Sequence, residues 1–155
     1  DLALIEAVCL ENIPVIETLL EHGADIHVRD DFLLKISIQR GFSSVVKLLF
    51  EHGVSISALD DGDLLRAISF CSPKQIVELR TKDRISIIQT LLENGANAYV
   101  CDELPLRLAT ELDLVPVVNL FLEYGADPTM LSGEYQEKLT LLIGDGEGDT
   151  KPAKK

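Results

Sequence analysis

Apolar residues recur along this chain at spacings of three and four positions, and the pattern returns in blocks. Each block holds two such stretches, which is typical of amphipathic helices with one buried face. The second stretch is the more regular one and reads Val45-Val46-Leu48-Leu49, Ile87-Ile88-Leu91-Leu92 and Val117-Val118-Leu120-Phe121 in successive blocks. The chain is therefore predicted to be a series of helix pairs.

A glycine follows each second stretch, within segments that resemble Leu-Leu-Glu-x-Gly-Ala-Asp. The glycines stand at positions 23, 53, 95 and 125, at spacings of 30, 42 and 30 residues. A glycine just past a helix suits a left-handed cap. His22 and His52 precede two of these glycines, where a histidine can interact with the last helical carbonyls. The repeated unit is predicted to be helix, tight turn, helix, glycine cap and short extended turn.

An acidic pair precedes the first stretch of each unit, at Asp30-Asp31, Asp60-Asp61 and Asp102-Glu103. Carboxylates there suit a helix N-cap and first turn, since they complement the free N–H groups and the helix dipole. Gly41 separates the two helices of one unit. A single unit of this kind cannot bury its apolar face alone, so neighbouring units must stack.

At this point the chain resembles the ankyrin-repeat family over about residues 1 to 130. The glycine signature and the Val-Val-x-Leu-Leu helix carry the match. The resemblance implies an all-α, ankyrin-type α-solenoid of stacked helix-turn-helix repeats with shortened hairpins, because the period is 30 rather than about 33 residues. The family's Thr-Pro-Leu-His motif is replaced by Phe32-Leu33-Leu34-Lys35 and Leu104-Pro105-Leu106-Arg107, so its hydrogen bonds must be lost or replaced. Such short repeats are similar to ankyrin arrays of giant DNA viruses.

The spacing divides the chain into an array over residues 1–143 and a flexible tail over 144–155, which has no apolar periodicity. The units are expected at about 1–22, 23–52, 53–94, 95–124 and, as a cap, 125–143. The third unit holds an insertion at 72–83, which either doubles its second helix or breaks it near residues 80–83. Four basic residues fall around it, at Lys74, Arg80, Lys82 and Arg84. They form either a local basic contact site or the solvated face of an extended helix.

The first predicted helix, Leu2–Leu10, is apolar nearly all round, whereas a terminal capping repeat should have a polar outer face. We therefore expect further repeats before Asp1, in which case a monomer is expected. The alternative is that self-association covers this helix.

The composition excludes several classes of function. Lys and Arg number 14 against 26 Asp and Glu, and the net charge of −12 argues against binding nucleic acid or an anionic membrane. No apolar run reaches the roughly 18 residues of a membrane span, and the start lacks the basic region of a signal peptide. Three cysteines at scattered positions, Cys9, Cys71 and Cys101, fit free thiols in a reducing compartment. The chain is expected to be intracellular and cytoplasmic, in the host cytoplasm if it is viral.

Enzyme signatures are weak throughout. The sequence has no nucleophile elbow, no Cys-His motif and no Walker lysine. Asp145, Glu147 and Asp149 alternate as in a calcium loop, but Thr150 stands where that loop needs glycine. We expect no catalytic residue, no cofactor and no metal.

The resemblance implies a partner-binding concave face built from the ends of the first helices and the hairpin tips. By position, the helix ends are Cys9-Leu10, Gln39-Arg40, Ser69-Phe70 and Glu111-Leu112, and the tips are Arg29-Asp30-Asp31, Leu59-Asp60-Asp61 and Cys101-Asp102-Glu103. An apolar stripe of Leu10, Phe70 and Leu112 would then lie beside an acidic edge that favours a basic protein partner. The alternative is that the carboxylates only cap helices and the apolar residues belong to the core.

The chain is thus expected to be a non-enzymatic protein–protein interaction module. One alternative is a small ankyrin-type inhibitor or regulator of an enzyme. Another is the substrate-recruiting part of a viral or bacterial effector directed at the host.

Overall fold

The computed structural model describes residues 2–69 and 81–144, apart from the side chains at positions 30, 81 and 100–102. These residues form nine α-helices and two 3-10 turns, and they contain no strand. The helices are α1 (Leu2–Cys9), α2 (Ile13–Glu21), α3 (Val28–Arg40), α4 (Ser43–Glu51), α5 (Asp61–Ser69), α6 (Thr81–Glu93), α7 (Val100–Glu111), α8 (Val115–Glu123) and α9 (Gly133–Ile143). The 3-10 turns are Ile56–Ala58 and Pro128–Met130. The predicted tail, apart from Gly144, lies outside the described residues.

The helices stack in two layers. The first helices of the units, α1, α3, α5, α7 and α9, contact one another in chain order, and α4, α6 and α8 do the same in the second layer. α1, α3, α5 and α7 also pack on the second helix of their own unit. This arrangement confirms the predicted all-α, ankyrin-type solenoid, in which each unit buries its apolar face against its neighbours.

The core follows the periodic apolar positions of the second helices. Val45, Ile87 and Val117 occupy the same position in successive repeats, and each is at most 1% exposed. Leu49, Leu91 and Phe121, four residues further on, are fully buried. Because these side chains recur one helical turn apart, each second helix presents a continuous apolar stripe to its neighbours.

Each second helix ends in a Schellman motif, as the glycine pattern predicts. Gly23, Gly53, Gly95 and Gly125 have φ between 83° and 93°. In the second repeat the Gly53 amide donates to the carbonyl of Phe50, and the Val54 amide donates to that of Leu49. The same two bonds recur at the other three glycines. They satisfy carbonyls that a helix end would otherwise leave without a partner.

The two histidines beside these caps act as predicted. His22 Nδ1 lies 2.7 Å from the carbonyl of Thr18, and His52 Nδ1 lies 2.9 Å from that of Leu48. Each ring therefore satisfies a carbonyl in the last turn of its own helix.

A side chain holds the predicted turn after each glycine, and the backbone is extended at Ser55 and Asp127. Two residues past the glycine, a short polar side chain accepts a hydrogen bond from the backbone N–H two positions further on. The four acceptors are Asp25, Ser55, Asn97 and Asp127. α3 and α7 begin before their acidic pairs, so among these pairs only Asp60 stands at an N-cap position.

Cationic side chains of later repeats replace the missing hydrogen bonds between repeats. Arg40 donates to the Cys9 carbonyl at 3.0 Å, Arg84 to the Gln39 carbonyl at 3.4 Å, and Lys138 to the Glu111 carbonyl at 2.8 Å. All three acceptors lie at the C-terminal end of a first helix, where the dipole favours a cation. The repeats are thereby tied together at the ends of their first helices.

The burial of Arg84 contradicts both predictions for the basic residues around the insertion. Arg84 is only 5% exposed, so it forms neither a contact site nor a solvated face. It stands at the repeat position of the buried residues Phe42 and Leu114, which explains its inward direction. Lys82 is exposed on α6, whereas Lys74 and Arg80, with most of the insertion, lie outside the described residues.

Replacing Gly53 with valine should lower the free energy of unfolding by more than about 1 kcal/mol, since a β-branched residue is strained at positive φ. An added Cβ would meet no atom within 4 Å, so the cost is conformational rather than a clash. Gly133→Ala is the control, because this helical glycine also has open space around it. Urea denaturation measures both, and an unchanged midpoint for Gly53→Val would contradict the assignment.

Candidate partner-binding surface

The residues predicted for partner binding lie in two separate rows. The acidic tips lie at the N-terminal ends of the first helices, and the polar or apolar pairs lie at their C-terminal ends. Asp61 and Ser69 are the first and last residues of α5, and nine helical residues span roughly 13 Å. The structure therefore does not bring the predicted edge and stripe together as one cluster.

Glu103 was predicted to lie on an exposed acidic edge, but it is buried. Its side chain is only 4% exposed, and its Oε1 accepts a hydrogen bond from the Asp127 amide of the next repeat at 3.3 Å. Its Oε2 is buried with no hydrogen-bond partner among the described residues. Burial raises the pKa of this carboxyl above its ordinary value, and the nearby Asp127 charge adds to that effect although the amide bond opposes it. Glu103 therefore ties two repeats together and is not an exposed tip.

The tip of the first hairpin is only partly exposed. Asp31 is half-buried and accepts a hydrogen bond from the ring of His27, at 2.6 Å from Nδ1 to Oδ1. Arg29 beside it is exposed. The side chains of Asp30 and Asp102 lie outside the described residues.

The predicted apolar stripe at the other end of the first helices is not formed as expected. Leu10 is 71% exposed, but Leu112 is half-buried and packs against the core. Phe70, the third member, lies outside the described residues. The polar residues of this row, namely Gln39, Arg40, Ser69 and Glu111, are exposed.

The second hairpin presents the exposed carboxylates. Asp60 and Asp63 cap each other: Asp60 Oδ1 accepts from the Asp63 amide and Asp63 Oδ2 accepts from the Asp60 amide, both at 3.0 Å. Arg66 donates to both side chains, at 2.6 Å to Asp63 and 3.3 Å to Asp60. The hydrogen bond to Asp63, which is 4% exposed, raises the pKa of this guanidinium. Because the segment contains three carboxylates, counting exposed Asp61, and only one arginine, it keeps a negative charge.

Two of these carboxylates, Asp60 and Asp61, border a cleft between two consecutive repeats. Its volume is about 190 Å³. Ile56, Leu59, Leu64 and Leu91 give it an apolar lining, and Gly95, Ala96 and Asn97 of the next hairpin close the opposite side. Asp60 and Asp61 stand in its wall. The cleft thus combines an apolar floor with a negative rim.

The sequence pattern placed Leu59 in a predicted tip but did not show that it joins Ile56 in the apolar lining of a cleft. Ile56 and Leu59 lie in a connecting segment, where no helical period marks them. The available signal was their spacing of three residues, which is that of one 3-10 turn, and the 3-10 turn Ile56–Ala58 indeed forms there.

An exposed aromatic pair was missed as well. Tyr99 is 51% and Tyr124 is 38% exposed, and the Tyr99 hydroxyl donates to the Tyr124 carbonyl at 3.3 Å. Partial burial raises the pKa of Tyr124, and the carboxylates of Glu93 and Glu123 add to the effect.

The described residues offer little to a metal ion. No three histidine, cysteine or acidic side chains among residues 2–69 and 81–144 are grouped so that they could hold one. Cys9 is a free, half-buried thiol. In the same part of the chain, no helix is long and apolar enough to cross a membrane.

Comparisons with known proteins agree with this architecture. The family model of the ankyrin repeat matches residues 1–31, which contain α1, α2 and the following turn. An ankyrin repeat protein of fowlpox virus is 30% identical over 132 residues, which are 83% of this chain and 29% of that protein. Human protein phosphatase 1 regulatory subunit 27 is 36% identical over 81 residues, which are 50% of this chain and 53% of the human protein.

The chain is therefore an ankyrin-repeat protein, and its stacked helix pairs are the repeats. It spans less than a third of the viral relative and about half of the human one. Ankyrin repeats indicate a protein–protein interaction module.

Replacing Glu103 with glutamine should change how stability depends on pH. Because the folded-state pKa of Glu103 is raised, its ionisation costs stability as pH rises from the ordinary glutamate range through the folded-state pKa. The free energy of unfolding of Glu103→Gln relative to the wild type should therefore increase from about pH 4 to pH 7. Urea denaturation across this range measures the difference.

The matched control for this experiment is Glu137→Gln, since Glu137 is exposed on α9 and its carboxylate meets water in the folded and unfolded chain alike. Parallel pH dependence of the Glu103 and Glu137 variants would contradict the burial of Glu103.

Proposed function

We propose that this chain is a non-enzymatic interaction module that binds a basic protein segment at the cleft between its third and fourth units, 53–94 and 95–124. The observation that carries the proposal is the cleft itself, in which an apolar floor and two exposed carboxylates lie side by side. Asp60 and Asp61 belong to the acidic tips predicted from the sequence, whereas the floor comes from Ile56, Leu59, Leu64 and Leu91.

The size of the cleft favours a protein side chain over a small molecule. Pockets for drug-sized ligands and cofactors have volumes of about 300–1,000 Å³, and this cleft holds about 190 Å³. An apolar side chain of the partner would fill the floor and remove its surface from water. A neighbouring lysine or arginine of the partner would face Asp61, which is exposed. Asp63, in contrast, already accepts a hydrogen bond from Arg66.

The rigid stack lowers the entropic cost of binding. The cleft walls are held by the mutual capping of Asp60 and Asp63 on one side and by the Schellman motif at Gly95 on the other. Little of the surface has to be ordered when the partner arrives, so more of the contact energy appears as affinity. The negative rim would also raise the association rate of a basic partner.

Asp61→Lys tests the charged rim. Partners captured from a lysate at controlled salt should be lost or strongly depleted with this variant. Glu134→Lys is the matched control, because Glu134 is also an exposed acid in the first turn of a helix. A lysine at either position interacts unfavourably with the helix dipole. Equal capture by Asp61→Lys and the wild type would contradict a role for the rim.

Ala96→Leu tests the floor without changing charge. Ala96 lines the cleft and is half-buried, so three added carbon atoms would occupy the space that a partner side chain needs. Capture of the partner that Asp61→Lys loses should weaken by about tenfold or more. Ala24→Leu is the control, because Ala24 follows Gly23 as Ala96 follows Gly95. If Ala96→Leu still captured the partner, binding would depend on charge alone, and this result would contradict the proposed role of the cleft floor.

A second candidate function is regulation of a protein phosphatase. It is favoured by the similarity to the human phosphatase regulatory subunit over half of this chain. The direct test is a titration of protein phosphatase 1 catalytic subunit with the chain while its activity and complex formation are followed. A stoichiometric complex would support this function, and neither binding nor a change in activity would contradict it.

A further inference from the structure

A cation of the chain itself contacts the charged rim of the cleft. Arg66 lies on α5, and its Nη2 is 2.6 Å from Asp63 Oδ1 and 3.3 Å from Asp60 Oδ1. The Asp63 side chain is 6% exposed, whereas the side chains of Asp60 and Arg66 are 69% and 55% exposed. Arg66 is therefore anchored on a buried carboxylate and extends from it to an exposed one, which lines the cleft.

The residues that form this contact are specific to the unit that carries the rim. Gly62, Asp63 and Arg66 stand at positions that are apolar in the neighbouring units. These positions hold Phe32, Leu33 and Ile36 in the preceding unit and Leu104, Pro105 and Leu108 in the following one. An added Cβ at Gly62 would lie 2.9 Å from Asp60 Oδ1 and 3.4 Å from Arg66 Nη1, so the glycine leaves room for the guanidinium beside the carboxylate. The contact between Arg66 and Asp60 thus belongs to this cleft and is not a general feature of the repeat.

The two contacts of Arg66 differ in strength. The hydrogen bond to Asp63 is short, and its acceptor is shielded from water. The contact with Asp60 is longer and joins two exposed groups, where an ion pair contributes little. A second cation can therefore displace Arg66 from Asp60 while Arg66 keeps its hydrogen bond to Asp63.

We propose that Arg66 competes with the basic residue of the partner for Asp60, and that this competition lowers the affinity of the cleft for basic segments. The inference rests on the function proposed above, since it concerns the same cleft. The partner's cation gains the Asp60 carboxylate only when Arg66 gives it up. Arg66 is thus a residue that sets how strongly a partner must bind in order to be retained.

The test uses a labelled, flexible peptide of glycine and serine that contains one leucine flanked by arginines, which suit the floor and the rim. Fluorescence anisotropy at low salt, where attraction between exposed charges is screened least, gives its Kd. Arg66→Gln should bind the peptide about two- to fivefold more tightly than the wild type, which is the strength of an exposed ion pair. Lys47→Gln is the matched control, because Lys47 is an exposed cation on α4 that does not line the cleft, and it should change the Kd less.

Asp60→Asn separates competition from a general change of charge. Asparagine can still cap α5, but it is no longer a carboxylate for which two cations compete. In this background Arg66→Gln should tighten peptide binding no more than Lys47→Gln does. An equal gain with and without Asp60→Asn would overturn the proposal. Unchanged or weaker binding by Arg66→Gln alone would also overturn it, and weaker binding would mean that Arg66 itself contacts the peptide.

A second pair of variants covers a loss of stability, because Arg66→Gln removes the cation beside the buried Asp63. Urea denaturation checks that every variant is folded. Asp63→Asn removes the buried charge, so Arg66→Gln in that background leaves no carboxylate unpaired inside the protein. The double variant should bind the peptide about two- to fivefold more tightly than Asp63→Asn alone, and equal binding by the two would overturn the proposal.

Asp61→Lys and Ala96→Leu separate this inference from the function on which it rests. Both should weaken binding of the same peptide, since one reverses a charge of the rim and the other fills the floor. If neither does so, the proposed function fails and this inference fails with it. If both do so while Arg66→Gln leaves the Kd unchanged, only this inference fails.

Discussion

The left-handed cap at the end of each second helix is the constraint on which the rest of this structure depends. Four glycines adopt the same positive φ, and at each of them the same pair of hydrogen bonds closes the helix. The chain leaves every second helix in the same direction and enters the same side-chain-to-backbone turn two residues later. Because this exit is repeated, the helix pairs stack in register and their apolar stripes meet.

Contacts at the ends of the first helices then hold the stack together. These ends carry unsatisfied carbonyls and the negative pole of the helix dipole. Arg40 and Lys138 each donate to such a carbonyl in the preceding repeat, and Arg84 does so from the second helix of the next repeat. The array thereby replaces the threonine and histidine bonds of longer ankyrin repeats with charge-assisted bonds, which are individually stronger than neutral ones.

The same stacking decides which carboxylates are available to a partner. Glu103 and Asp61 occupy the same position of successive repeats, yet one is buried and the other exposed. Glu103 accepts the Asp127 amide of the following repeat, while Asp61 lies at the border of a cleft. An interaction surface on a repeat protein is thus not a uniform row, since each position depends on what the next repeat presents to it.

The sequence by itself determined the helix pairs, the glycine caps, the histidine bonds at Thr18 and Leu48 and the stacked architecture. Each of these depends on residues within about one helical turn or on a strict period, so local pattern is sufficient. The burial of Arg84 and Glu103, the split of the predicted site into two rows and the cleft at Ile56 and Leu59 were decided by the tertiary structure. Those features arise between repeats, where Arg84 and Glu103 bond backbone groups 45 and 24 residues away, and no local spacing encodes that distance.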